Sequence, residues 1–187
     1  MTAFTRYLSS ISPLSEEIIQ AIDLVAEKQD IARRQILVED LSRSEYLHFI
    51  ESGVLRAYFS HKGKTITDWF GQENMIIGPV QRRFAQRDTR HVVEALEQTT
   101  VYSVRFSHLH DLYQQFHEVE RLGRMIAIQS LMHLQRKLDY MQLMSAAERY
   151  RQFRVDYPQL SNNLPLGMIA SFLGMNQVTL SRIRKNV

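Results

Sequence analysis

From Val119 to Met144 the chain reads "VERLGRMIAIQSLMHLQRKLDYMQLM", more than six helical turns with no proline to break them. The run carries two apolar stripes rather than one. Leu122, Met125, Ile126 and Met132 make the first; Leu131, Leu134, Leu138 and Met141 make the second. A helix that is apolar on two sides must pack against two surfaces. The strand-rich segment before it can supply one. The other is expected from the same helix of a second subunit, since twofold pairing is the commonest oligomer. The paired face would then comprise Met125, Ile128, Leu131, Leu134, Leu138 and Met141. The alternative is one long core helix inside a monomer.

Upstream, "LSEEIIQAIDLVAEKQD" reads as a helix capped by Ser15, with Glu16 and Glu17 in its first turn and an apolar stripe of Ile18, Ile19, Ile22 and Val25. "EYLHFIESGVLRAYFSHKGKTITDWF" holds two β-rich runs separated by "HKGK", a hairpin turn signal. Leu55, Ala57 and Phe59 alternate there with Arg56 and Tyr58, and Trp69 and Phe70 read as core of the strand domain. "HVVEALEQTTVYSVRF" adds two more runs, with Glu97 and Gln98 near their turn. Short strands at this spacing predict a sandwich or small barrel. At Ser107 the period turns helical, and "SHLHDLYQQF" sets Leu109, Leu112 and Phe116 on one side. After the long helix, "SAAE" at Ser145–Glu148 is a capping box, so one helix stops at Met144 and another starts. "AERYRQFRVDYPQL" then ends its helix before Pro158.

The charge is uneven. Residues 145–187 carry six Lys/Arg against two acidic residues, whereas residues 1–144 carry 17 against 18. A basic end of this kind suits a polyanion. With no cysteine, disulfides and thiolate metal sites are excluded. "MTAFTRYLSS" has no apolar signal region, and no apolar run approaches the ~18 residues of a membrane span, so the reading is a cytoplasmic protein with no membrane partner.

The tail "LPLGMIASFLGMNQVTLSRIRK" fits a helix-turn-helix. Pro165 suits a helix start, and Leu166, Ile169, Ala170 and Leu173 make a buried face. Gly174 can take the left-handed conformation that ends a helix, and Asn176 can cap the next. With Leu180 and Ile183 packing inward, Gln177, Val178, Ser181 and Arg182 face outward beside Thr179. Such positions meet base edges in the major groove: Arg pairs with guanine, Gln with adenine, and Val or Thr methyls touch thymine. Arg184 and Lys185 suit phosphates.

These segments together resemble a Crp/Fnr-type transcription regulator over nearly the whole chain. The resemblance implies an N-terminal cyclic-nucleotide-binding-like β jelly roll, a long dimerisation helix and a C-terminal all-α DNA-binding domain, an α+β chain overall. By position the family's base readers fall on Gln177, Val178 and Arg182. The first two differ from the Arg-Glu pair of the cyclic-AMP-responsive member, so its operator does not transfer. Many members continue into a β-wing where this sequence stops at Val187. Nucleotide-binding members also carry a Gly-Glu-Leu turn followed by an Arg-Ser or Arg-Thr pair. Here Gly78 is kept, but Pro79 replaces the glutamate and Thr89 the arginine, so the cassette is broken. Arg82, Arg83, Arg87 and Arg90, with His91, crowd the same stretch, either as an anion or effector site or as a solvated hairpin tip.

His108, His110 and His117 invite a metal reading, but His108 leaves their shared helical face, so no metal or other cofactor is expected. No nucleophile–base set or phosphate loop supports an enzyme. The expected organisation is a jelly roll over 1–120, a dimer helix over 121–144 and a helix-turn-helix domain over 145–187. The expected activity is sequence-specific DNA binding, with RNA polymerase and an unidentified small-molecule effector as further candidate partners. Two alternatives stand beside it. One is a regulator that senses a nucleotide or another anion through a remodelled pocket. The other is a ligand-binding jelly roll whose terminal helices make protein contacts only.

Overall fold

A computed structural model describes residues 1–78 and 90–185. Two helices open the chain, α1 (Ala3–Ile11) and α2 (Glu16–Val25), capped by Thr2 and Ser15. Strands follow: β1 (Glu27–Ile31), β2 (Ile36–Val38), β3 (Tyr46–Ser52), β4 (Leu55–His61), β5 (Lys64–Gly71), β6 (Ile76–Ile77), β7 (Val92–Ala95) and β8 (Thr99–Arg105). The chain ends in α3 (Phe106–Gln115), α4 (His117–Leu143), α5 (Ala146–Asp156), α6 (Pro158–Asn163), α7 (Leu166–Phe172) and α8 (Gln177–Lys185). No helix among the described residues is long and apolar enough to cross a membrane.

The strands form two four-stranded antiparallel sheets, ordered β1-β8-β3-β6 and β2-β7-β4-β5. Between them lie Ile31, Ile50, Leu55, Ala57, Val93, Ala95 and Val101, all fully buried. Successive side chains of a strand point to opposite faces, so Phe49, Tyr102 and Val104 leave this interior. They pack instead against α1–α4, where Phe4, Leu8, Ile18, Ile22, Leu112, Val119 and Leu122 cover the first sheet.

The outer face of the second sheet is covered too, and by the C-terminal helices. Val54 and Phe70 share one core with Tyr150, Phe153, Leu160, Ile169, Ala170, Leu173 and Leu180. This corrects the reading of Phe70: Trp69 packs at the roll interior, while its neighbour, fully buried, points the other way. The alternation along β4 holds, with Leu55 and Ala57 inside the roll. Arg56 is on the outward side yet only 7% exposed, donating to Glu94 at 2.9 Å and to Thr67 at 3.0 Å.

Other expectations shift by local causes. The helix read through Asp30 stops at Val25, because Glu27–Ile31 pairs with β8. The two β-rich runs before Phe70 become three strands, since Gly53 turns the chain with φ +88° between β3 and β4. A Cβ at Gly53 would lie 2.5 Å from the Thr99 hydroxyl, so only glycine fits. The "HKGK" turn is as read, with Lys62 and Gly63 both at positive φ, the signature of a tight hairpin. Helices α1 and α6 are additions to the elements that the sequence pattern predicts. In α4, Leu122 is buried and Met125 and Ile126 half-buried, but Met132 is 56% exposed and does not belong to the packed stripe.

One buried group in the roll titrates. His48 and Ser103 face one another across β3 and β8 at 2.8 Å, and among the described residues the other ring nitrogen of His48 has no hydrogen-bond partner. Burial disfavours the imidazolium and pushes its pKa down to about 4. The unfolded chain takes up this proton near the ordinary histidine value and the folded chain only near 4, so folding loses stability as pH falls through that window. The loss should approach about 3 kcal/mol below pH 4. Urea unfolding of His48→Phe against the parent, from pH 7 to 4, should show a flatter pH dependence for the variant over this interval.

Candidate nucleic-acid interface

Helix α5 begins where the capping box predicts. Ser145 Oγ accepts the Glu148 amide at 3.4 Å, and Glu148 reaches back to the Ser145 amide at 2.8 Å. Hydrogen bonding of the carboxyl to the Ser145 side chain and backbone amide holds Glu148 below the ordinary carboxylate range. Pro158 opens α6 at a position whose missing amide costs nothing.

The last two helices form the expected pair. Pro165 is the residue before α7, and its carbonyl accepts the amides of Met168 and Ile169. Gly174 ends the helix at φ +64°, and Met175 returns its amide to the Ala170 carbonyl. A Cβ at Gly174 would lie 3.2 Å from the Met141 sulfur, so the end of α4 presses against this turn. Asn176 Oδ1 accepts the Thr179 amide at 2.8 Å, the cap that starts α8. Ile169, Ala170, Leu173 and Leu180 are buried between the helices, with Ile183 half-buried beside them.

That packing leaves one face of α8 to solvent. Gln177, Arg182, Arg184 and Lys185 are exposed and Val178 is 61% exposed, while Thr179 and Ser181 are half-buried at the edge of the row. An exposed valine beside glutamine and arginine offers a methyl surface and directional donors together, the chemistry that reads base edges. The two cations near the helix end can meet phosphates.

The α4 face shows a second unpartnered surface. Ile128, Leu131, Leu134, Leu138 and Met141 are exposed, Leu131 by 64% and Leu134 by 55%, whereas Met125, from the same expected face, is half-buried. A contiguous apolar stripe of this kind marks an interaction face.

Of the arginine-rich stretch, Arg90 and His91 lie among the described residues. Arg82, Arg83 and Arg87, with Pro79 and Thr89, lie outside the described residues. Arg90 is exposed and lines a cleft of about 560 Å³ with Arg43, Tyr46 and His48. Glu39, Asp40 and Glu45 line the same cleft, so acidic groups that the local sequence did not reveal stand near that cation.

Sequence reasoning missed the residues that join this helix pair to the roll. Ser171 of α7 accepts the Thr67 amide at 3.1 Å and donates to Thr67 Oγ1 at 2.9 Å. Phe70 stands among Phe153, Tyr157 and Phe172, with ring centres 5.1–6.3 Å away. One signal was available: Trp69 and Phe70 are strand neighbours, so both could not face the same core.

Solved structures of the same architecture exist at low sequence identity. FixK2 from Bradyrhizobium japonicum superposes with a TM-score of 0.71 at 19% identity, over 87% of this chain and 84% of that one. A candidate transcriptional regulator of the Crp/Fnr family from Eubacterium rectale gives 0.75 at 14% identity, over 97% and 87%. The c-di-GMP responsive global regulator CLP of Xanthomonas campestris gives 0.66 at 15% identity, over 92% and 91%. No protein-family model matches the chain, and no curated protein sequence does. The fold is therefore that of the Crp/Fnr regulators, an α+β chain with the strand domain before the last helices.

Proposed function

We propose that this chain is a homodimeric, sequence-specific DNA-binding transcription regulator. The observation that carries the reading is the outward row Gln177, Val178 and Arg182 on a helix whose other side packs inward through Leu180 and Ile183. In a helix-turn-helix, that row enters the major groove. The basic excess of residues 145–187 supports it, as does a fold shared with transcription regulators. In this reading the division is a jelly roll over 1–120, a dimer helix over 121–144 and a DNA-binding segment over 145–187. The protein would act in the cytoplasm, with RNA polymerase as its further partner.

The effector site is read as degenerate for cyclic nucleotides. Pro79 cannot hold a ribose hydroxyl as a glutamate does, and Thr89 cannot pair a phosphate as an arginine does. Calorimetric titration with cyclic AMP or cyclic GMP should show no micromolar binding; a saturable micromolar isotherm would reverse the assignment.

The exposed stripe on α4 is assigned to a second copy of the chain. Sedimentation velocity at micromolar concentration should show a dimer. Replacing Leu134 and Leu138 together with glutamate should give a monomer that has lost its affinity for a two-half-site DNA.

In such a dimer the two α8 helices should meet half-sites about one turn, ~34–36 Å, apart on a near-palindromic site. Arg182→Ala should cost ~1–3 kcal/mol per half-site and relax preference at one base pair. Lys185→Ala should instead weaken every sequence alike and reduce the salt dependence. Titrations of selected and random DNA at several salt concentrations separate the two. Equal loss on both DNAs for Arg182→Ala would make that residue a phosphate contact.

A further inference from the structure

Strand β5 touches three parts of the molecule at adjacent residues. Thr67 is 2% exposed, and its hydroxyl accepts both Arg56 Nε at 3.0 Å and Ser171 Oγ at 2.9 Å. Arg56 in turn donates to Glu94 at 2.9 Å, so a polar chain runs Glu94–Arg56–Thr67–Ser171 from β7 to α7, buried at its two middle members. The next residue, Asp68, takes Lys137 of α4 on its carboxylate at 2.9 Å and also on its carbonyl. The same Lys137 lies over the Phe172 ring of α7, 5.5 Å from its centre. A register shift makes this possible: Ala57 pairs with Trp69 but Tyr58 pairs with Thr67, leaving Asp68 as the extra residue of a bulge. The bulge turns Thr67 to the outer face although Trp69, two residues on, faces the interior.

We infer that β5 sets the position of the DNA-reading helix pair relative to the dimer helix, with Thr67 and Ser171 as positioning residues for half-site spacing. The inference rests on the reading that α8 contacts DNA. Apolar contact around Phe70 holds α7 on the sheet but is non-directional and tolerates sliding. The polar chain does not. If α7 moved along β5 by one residue, Thr67 would lose Ser171 at both its amide and its hydroxyl, in a setting where an unpaired group is costly. Helix α8 follows α7 through the buried Ala170, Leu173 and Leu180. Helix α4 is referenced to the same strand through Asp68. In a symmetric dimer the separation of the two reading helices depends on the angle between α4 and α7, and both are pinned at neighbouring residues of one strand.

The test uses the full chain with Thr67→Val, Ser171→Ala and the hydroxyl-retaining Thr67→Ser. Binding is measured to a DNA site selected by the parent protein and to the same site with one base pair inserted between half-sites. Hydrogen exchange of the α7 amides is followed without DNA. In Thr67→Val and Ser171→Ala, discrimination against the insertion should fall roughly fivefold to tenfold, the share one buried hydrogen bond can supply, and α7 exchange should quicken by a similar factor. Thr67→Ser should retain both parent values. Base preference within a half-site should not change. Faster exchange with unchanged spacing discrimination would overturn the inference, because the contact would then be structural only. Unchanged exchange would overturn it as well, because the chain would then not seat α7. If the parent protein selects no DNA sequence, the DNA reading has failed instead, and exchange alone decides whether the chain seats α7.

Discussion

The pairing of Arg56 with Glu94 and Thr67 organises the surface on which the C-terminal helices sit. A guanidinium 7% exposed must be neutralised and hydrogen-bonded, because an unpaired buried charge is far more costly than any packing gain nearby. Glu94 opposes Arg56 across β4 and β7, and Thr67 reaches its Nε from β5. Three strands are thereby tied on their outer face. With that charge satisfied, Phe70 and Val54 can be buried beside it, and the aromatic group of Phe153, Tyr157 and Phe172 closes over them. Desolvation in that group raises the Tyr157 phenol to about 12, which matches its place in an apolar setting. The terminal helices thus share a core with the roll and have no separate one.

The long helix has the opposite character along its length. Its first turns are part of the core under the first sheet, through Val119 and Leu122. Its later turns expose the stripe from Ile128 to Met141. Low on the helix, Lys137 reaches β5, and Met141, at the end of the stripe, also lies against the α7–α8 turn. One element therefore carries an outward apolar face and an inward contact with the reading unit within two turns, so events at one surface are mechanically close to the other.

Much of the candidate interface was legible before any coordinates. Ser145, Glu148, Gly174 and Asn176 act through bonds to amides and carbonyls within a few residues, so their meaning is written in local order. The outward row on α8 followed from helical period alone, because Leu180 and Ile183 fix which side must turn inward. The arginine-rich stretch shows where this logic stops: Arg90 lines a cleft with Glu39, Asp40 and Glu45, about 45–51 residues away in sequence.

The sequence by itself determined the starts of α2, α5 and α8, the glycine that ends α7, the hairpin at Lys62–Gly63, the strand-then-helix order and the polar row of the last helix. Each depends on dihedral preference, capping or periodicity, which are properties of neighbours. Only the tertiary structure decided that Phe70 and Arg56 face the terminal helices, that Asp68 bulges and turns Thr67 toward Ser171, and that Met132 stays in water. These outcomes depend on which surface arrives opposite a given strand or turn. A one-residue shift in strand register reverses every facing, and no local pattern records such a shift.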